Sequence, residues 1–247
     1  MENSDLIPRL EDLAARCERQ STVTQTNFLT PAEAYQAEKW ALQRGISVCF
    51  SGGSGETERK VCFFVPDWME GMTPDEDEYF RAMEITAHFG TPGHRDYMGA
   101  LLGMGIGREW LGDISVIGDK AYIFCLPSVE RHLLSIDKVG RCGVTARSIK
   151  PSEVPLPERQ VKELTFSVMS PRLDAIVAGM FDLSRTEAAK QIEAGLVSLN
   201  YEETDRTDRP VREGDIISLR GAGKGKVTGS GGTSRKGRLF IYAEIYK

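Results

Sequence analysis

The strongest constraint on this chain lies near its end, where two short helices, each with its own start signal, run straight into a short strand. Ser170-Pro171-Arg172-Leu173-Asp174 puts a capping hydroxyl and a proline at a helix start, where proline's fixed φ and missing N–H cost nothing. Leu173, Ile176, Val177 and Met180 follow at i, i+3, i+4 and i+7, which gives one buried face. Ser184-Arg185-Thr186-Glu187 is a second capping box, and its helix turns Ala188 and Ile192 inward before Gly195 supplies a left-handed stop. Leu196 to Asn200 reads as a strand, and Gly214-Asp215 turns into a second strand, Ile216 to Arg220. Two short helices docked on a small sheet leave one face open to solvent.

Charge is distributed to match. The chain of 247 residues carries a net charge of −5, but from Pro171 onward 13 Lys/Arg face 11 Asp/Glu. Between Ile216 and Ala243 lie six basic residues (Arg220, Lys224, Lys226, Arg235, Lys236, Arg238) and no acid. A locally basic ribbon on an acidic body keeps nucleic acid open as a partner. Arg185 falls in the first turn of the second helix, beside amides without intrahelical acceptors, and a guanidinium at a helix N-terminus is a natural phosphate site. Arg172 starts the preceding helix, and Lys190 lies further along the second. Arg220, Lys224 and Lys226 follow the last strand on Gly221-Ala222-Gly223-Lys224-Gly225-Lys226, whose glycines let backbone approach a sugar-phosphate chain. The candidate RNA-binding set is Arg172, Ser184, Arg185, Thr186, Lys190, Asn200, Arg220, Lys224, Lys226, Arg235, Lys236 and Arg238.

These segments, with Gly195-Leu196-Val197-Ser198-Leu199-Asn200 and Gly214 through Gly221, resemble the S4 RNA-binding domain over about 55 residues. Tyr201 departs from the family, which usually has Gly after the Asn, so an altered turn is expected there. Upstream, His94-Arg95-Asp96-Tyr97-Met98-Gly99-Ala100-Leu101-Leu102-Gly103-Met104-Gly105-Ile106-Gly107-Arg108-Glu109 and Gly112-Asp113-Ile114 resemble the central domain of the YlmH family. These are bacterial three-domain proteins ending in an S4 domain. The resemblance spans nearly the whole chain, most weakly over the first 75 residues. It implies binding of large-subunit rRNA and tRNA on the large ribosomal subunit and a part in ribosome-associated quality control. There, obstructed large subunits still holding peptidyl-tRNA would be bound. The family is also linked to cell division.

The remaining sequence sets a three-domain α+β expectation. In residues 1–77, Leu6, Leu10 and Leu13 mark a helix, and Thr30-Pro31-Ala32-Glu33 opens a second that ends at Gly45. Residues 46–50 and 61–65 flank a glycine-rich loop as a hairpin. In residues 78–168, the expected order is strand (84–89), helix (95–104), hairpin (113–118 and 121–126), helix from Ser128, and a late strand at 162–168. This β-α-β-β-α-β order is that of a ferredoxin-like, RRM-like domain. Lys150 to Pro157 reads as a stiff extended connection. Residues 169–247 form the S4 domain with a C-terminal strand extension. His94 and Arg95, starting a helix, are a possible secondary RNA contact.

Other chemistries find little support. Five irregularly spaced cysteines and three histidines give no redox or metal spacing, so no metal or other cofactor is expected. His94-Arg95-Asp96 lacks the asparagine and glycine-rich loop of a kinase, and Gly103 to Gly107 follows a helix rather than a strand. Arg172-Leu173-Asp174 mimics a pseudouridine-synthase tripeptide but is consumed by the S4 helix, so Asp174 is expected to pair with arginine or cap backbone and no catalytic residue is assigned. No apolar run approaches membrane-spanning length, and no secretory leader is read, so a cytoplasmic protein, monomeric off the ribosome, is expected. The competing readings are an RNA-modifying enzyme and a division-linked protein-interaction factor.

Overall fold

In a computed structural model, residues 5–54, 57–69, 71–155, 161–234 and 236–246 are described, and the chain divides into two units, Met1–Pro157 and Glu158–Lys247. The architecture is α+β. In the first unit, α1 (Leu6–Gln20) buries Leu6, Leu10, Leu13 and Cys17 along one face. After β1 (Thr24–Gln25), α2 (Pro31–Arg44) opens on a box closed both ways. Thr30 Oγ1 accepts the Glu33 N–H at 3.3 Å, and Glu33 Oε2 accepts the Thr30 N–H at 2.8 Å. Gly45 ends the helix at φ 64°. The expected hairpin is β2 (Val48–Ser51) and β3 (Val61–Phe64), to which β1 adds a third strand in the order β1-β3-β2.

The rest of the unit contains α3 (Glu76–Tyr79), β4 (Arg81–Ala87), α4 (His94–Gly103), β5 (Leu111–Ile117) and β6 (Lys120–Cys125), followed by α5 (Glu130–Leu133), β7 (Lys138–Val139) and β8 (Cys142–Ile149). The sheet order β5-β6-β4-β8-β7, antiparallel throughout, is the split ferredoxin-like arrangement. One correction concerns its last strand. Residues 162–168 are a strand, but β8 occupies the position expected for them, paired with β4 from Ala82↔Ile149 to Ala87↔Val144. Only Val144 and Ile149 of β8 are buried, so its apolar alternation is too weak to read from sequence. The connection after it also differs, because Pro151–Glu153 forms a 3₁₀ turn instead of extended chain.

Helices α4 and α5 cover one face of this sheet through Met83, Ile85, Tyr97, Leu101, Ile123 and Leu133. Part of the other face packs against the N-terminal hairpin, where Phe28, Val61 and Phe63 join Phe80, Ala82, Phe124 and Ile149. Glycine is required at this contact. A Cβ on Gly53 would sit 2.5 Å from the Phe124 ring, and one on Gly112 would sit 2.8 Å from Phe28. Buried Arg59 ties the two layers, its Nε donating to Leu111 O at 3.0 Å and its Nη2 to Phe28 O at 2.9 Å. Tyr122 and Phe124, two residues apart on β6, stand where an RRM-type sheet presents stacking aromatics, yet they are only 8% and 4% exposed. The topology is RRM-like while its stacking surface is covered within the unit.

The second unit holds β9 (Val161–Val168), α6 (Leu173–Met180), α7 (Arg185–Glu193), β10 (Val197–Leu199), β11 (Glu202–Glu203), β12 (Ile216–Leu219), β13 (Gly223–Thr233) and β14 (Leu239–Tyr246). Its sheet runs β11-β10-β12-β13-β14-β9. Strand β9 pairs with β14 along its whole length and so belongs to the sheet of this second unit. Leu173, Ile176, Val177, Met180, Ala188 and Ile192 pack both helices on one sheet face against Val197, Ile217, Val227 and Ile241.

Candidate nucleic-acid interface

Helix α6 begins two residues later than its proline suggests, with Arg172 as N-cap and no side-chain cap. Its first amides are nevertheless satisfied. Leu173 N–H donates to Arg209 O at 2.9 Å and Asp174 N–H to Thr207 O at 3.0 Å, so the 204–212 loop caps this end. An anion has no open amides there. Helix α7 differs: Ser184 Oγ accepts only the Glu187 N–H, at 3.1 Å. The Arg185 and Thr186 amides lie at the first two helical positions, which have no intrahelical acceptors, and both residues are exposed. Two amides beside the Arg185 side chain are thus left without an intrahelical acceptor at this helix start.

Asp174 organises the site. Its carboxylate is buried, with Oδ2 2.6 Å from Arg185 Nη2 and Oδ1 3.2 Å from Arg172 Nε. Oδ1 also accepts the Ala175 N–H at 2.9 Å. Burial pushes this carboxyl's pKa up, but the hydrogen bonds and charges of Arg185 and then Arg172 outweigh it and hold the group below the usual carboxylate range. The aspartate is therefore an ionised anchor. It fixes two half-exposed guanidinium groups whose remaining N–H donors can reach outward. The pairing of Asp174 with arginine and its backbone cap both match expectation.

The other candidates divide between places. Lys190 is exposed on α7. Asn200 has a structural task, its Oδ1 accepting the Ile216 N–H at 2.9 Å and its Nδ2 donating to Asp215 Oδ1 at 2.8 Å. Arg220 pairs with Glu203 at 3.2 Å on the surface. Lys224 and Lys226 are not in a loop, because β13 begins at Gly223. Between them, Gly225 faces the helices, a Cβ there lying 2.7 Å from Met180 Sδ, so the two lysines project from the opposite sheet face. Arg238 donates to Ser167 O at 2.5 Å and Lys236 is exposed, while Arg235 lies outside the described residues. In the other unit, His94 and Arg95 are exposed in the first turn of α4.

Residues 204–212 were missing from the candidate set. Arg206, Arg209 and Arg212 recur every third residue on the loop that caps α6. Asp205, Asp208 and Glu213 alternate with them and hide the cluster in any charge sum. Arg209 reaches Glu202 at 3.8 Å and Arg206 reaches Asp208 at 3.4 Å. The triplet spacing was the available signal.

A two-helix, strand-rich module with an arginine pair at its helix starts, in a chain that also carries an RRM-like sheet, defines a class of RNA-binding protein. Comparison with known families agrees. Residues 74–153 match the family described as "Putative RNA-binding domain in YlmH", and residues 171–217 match the S4 domain. The chain thus carries both an RNA-binding domain of the YlmH type and an S4 domain. It is 29% identical over 227 residues to the "Ribosome-associated protein quality control protein P2" of Bacillus subtilis (strain 168), covering 90% of this chain and 87% of that one. It also shares a fold with "Cell division protein ylmH from Streptococcus pneumoniae". That match has a TM-score of 0.54 and 19% identity, over 62% of this chain and 94% of that structure. Among the described residues, no helix is long and apolar enough to cross a membrane.

Proposed function

We propose that this protein is a non-catalytic RNA-binding factor that docks on rRNA and tRNA of the large ribosomal subunit during ribosome-associated quality control. The observation that carries the reading is the Asp174-anchored pair of Arg172 and Arg185 at the open N-terminus of α7. The name of the Bacillus relative supplies the ribosomal context. Arg172, Arg185, Thr186 and Lys190 form the primary phosphate-contacting face, extended by Arg206, Arg209 and Arg212 of the adjoining loop. Arg220, Lys224, Lys226, Lys236 and Arg238 add contacts from the sheet. His94 and Arg95 form a secondary contact from the first unit. An aspartate held by two arginines is a poor nucleophile, which supports a binding role over modification of RNA. The protein acts in the cytoplasm and is a monomer away from the ribosome. Co-sedimentation with purified large subunits tests this. Arg172→Ala with Arg185→Ala should abolish it with a modest fall in melting temperature, because buried Asp174 loses both partners; undiminished co-sedimentation of the folded variant would refute the assignment.

A further inference from the structure

The sheet of the second unit has a second face, turned away from α6 and α7. Pairing of β13 with β14 aligns Lys224 with Tyr246, Lys226 with Glu244, Gly229 with Tyr242 and Gly231 with Phe240, all on that outer face. The inner partners of β14 are Ile241 and Ala243, each 2% exposed. On the outer face, Phe240 and Tyr242 therefore follow one another, and Tyr246 stands beyond Glu244.

The glycines decide how these rings lie. A Cβ on Gly229 or on Gly231 would meet the Tyr242 ring at 3.6 Å, and one on Gly232 would meet Phe240 at 3.9 Å. The lane beside the aromatics has no side chains, so the Tyr242 ring reaches across β13 and remains 44% exposed. Lys224 Nζ stands 5.7 Å from the centre of the Tyr246 ring. The hairpin end contributes Lys236 and Arg238, the latter anchored to Ser167 O on β9. Glu244 stands on the same face between Tyr242 and Tyr246, opposite Lys226, with Glu163 beside it on β9 and Glu213 near Gly229, so the acidic groups gather at the Tyr246 end and the single strand is placed toward Tyr242 and Phe240. No acid lies between Ile216 and Ala243.

We propose that this outer face is a second RNA site, a stacking platform that takes an unpaired RNA segment with bases on Tyr242 and Phe240 and phosphates beside Lys224, Lys226, Lys236 and Arg238. Exposed aromatic rings interleaved with cations bind single strands through sequence-tolerant stacking, and a glycine lane lets the sugar-phosphate chain come close. The proposal rests on the RNA-binding reading above but uses the opposite side of the sheet from the Arg172–Arg185 pair. The unit would then hold structured RNA on one side and a single strand on the other.

The test uses the full chain and a fluorescent oligouridylate of about eight nucleotides, a length within the range of single-strand sites. Tyr242→Ala should weaken binding roughly tenfold, the loss of one stacked base. Tyr242→Phe should bind like the parent, and Gly229→Val with Gly231→Val, which pushes the ring off its lane, should mimic the alanine variant. Arg172→Ala with Arg185→Ala should leave oligouridylate affinity nearly unchanged while losing large-subunit binding, so the two sites fail or stand separately. An iodouridine version should crosslink at Phe240 or Tyr242. Equal affinity of the parent and Tyr242→Ala, at equal melting temperature, overturns the proposal, as a face reserved for a protein partner would give. So does the absence of measurable oligouridylate binding, or crosslinks confined to α6 and α7.

Discussion

Arg185 Nη2 lies 2.6 Å from Asp174 Oδ2, across 11 residues of chain and between two helices. The same carboxylate holds Arg172 at 3.2 Å, so one buried anion sets the spacing of two cations. Asp174→Asn keeps an oxygen for the Ala175 amide but loses the charge that both guanidinium groups approach. Because the arginines can turn into solvent, the expected stability loss is modest, on the order of 1–2 kcal/mol. RNA affinity should also fall, since the pair loses its fixed geometry. The native carboxyl titrates below its unfolded counterpart, so its contribution is full above the ordinary carboxylate range and disappears as pH falls through the depressed pKa. Denaturant midpoints for the two proteins should therefore converge toward low pH. A gap that widens on acidification would contradict the anchor role.

Phosphate contacts have their own signature. Each lost contact lowers the slope of log affinity against log salt by about one unit. Replacing Arg172 and Arg185 together should flatten the slope by about two units. A parallel line, displaced without a change of slope, would mean that neither arginine meets a phosphate.

The S4 segment was readable because its devices are local. Capping boxes, glycine stops and a 3.6-residue apolar period placed α6 and α7 within a residue or two, and with them Arg185. What escaped depends on partners distant in sequence. Strand β9 is apolar enough to read as a strand, but only its pairing from Val161↔Tyr246 to Val168↔Leu239 reveals which sheet owns it. Lys224 and Lys226 read as loop residues because glycines at 221, 223 and 225 mimic a turn. The close approach of Met180 to Gly225 shows instead a strand that needs a small residue beneath a helix. The arginines of the 204–212 loop were masked by alternating acids, and their place follows from the Thr207 and Arg209 carbonyls that cap α6. The covering of Phe124 by the N-terminal hairpin is a long-range packing fact that topology alone does not signal.

Tyr201 tests the altered turn. Asn200 and Tyr201 have φ of 52° and 67° in the two-residue loop between β10 and β11, where Leu199 pairs with Glu202. Two consecutive left-handed residues make a type I′ hairpin turn, which favours Asn-Gly. Tyrosine carries a steric cost there that glycine lacks, so Tyr201→Gly should stabilise the protein by about 0.5–1 kcal/mol. Chemical denaturation can read this directly. A destabilised variant would show that the tyrosine ring contributes more by contact than the backbone loses by strain.

Gly179 sits where α6 crosses β9. A Cβ at this position would lie 2.2 Å from the Phe166 ring, far inside contact distance. Gly179→Ala gains helix propensity of about 1 kcal/mol. It should nevertheless destabilise the protein by about 1–3 kcal/mol, because the ring must move within a packed core. Pairing it with Phe166→Leu should recover part of the loss, a coupling expected of residues in contact. Strictly additive losses in the double variant would disprove the contact.

Glu84 gives the clearest pH prediction in the first unit. It lies on β4 with only 7% of its side chain exposed, its Oε1 2.8 Å from Arg147 Nε and 3.2 Å from Lys120 Nζ. The Arg147 hydrogen bond is the main reason its pKa falls from 4.5 to about 2, against burial, with Lys120 assisting. A depressed carboxyl pKa stabilises the fold above the unfolded value and ceases to do so as pH drops through the folded value. The contribution should therefore be complete at neutral pH and should drain away between 4.5 and about 2. Solvent screening of the exposed Arg147 limits it to about 2 kcal/mol. Glu84→Gln removes the titration, so its urea midpoint should lie below the parent's at pH 7 and approach it as the solution is acidified. An offset that stays constant across that window would show that Glu84 acts through packing and not through its charge.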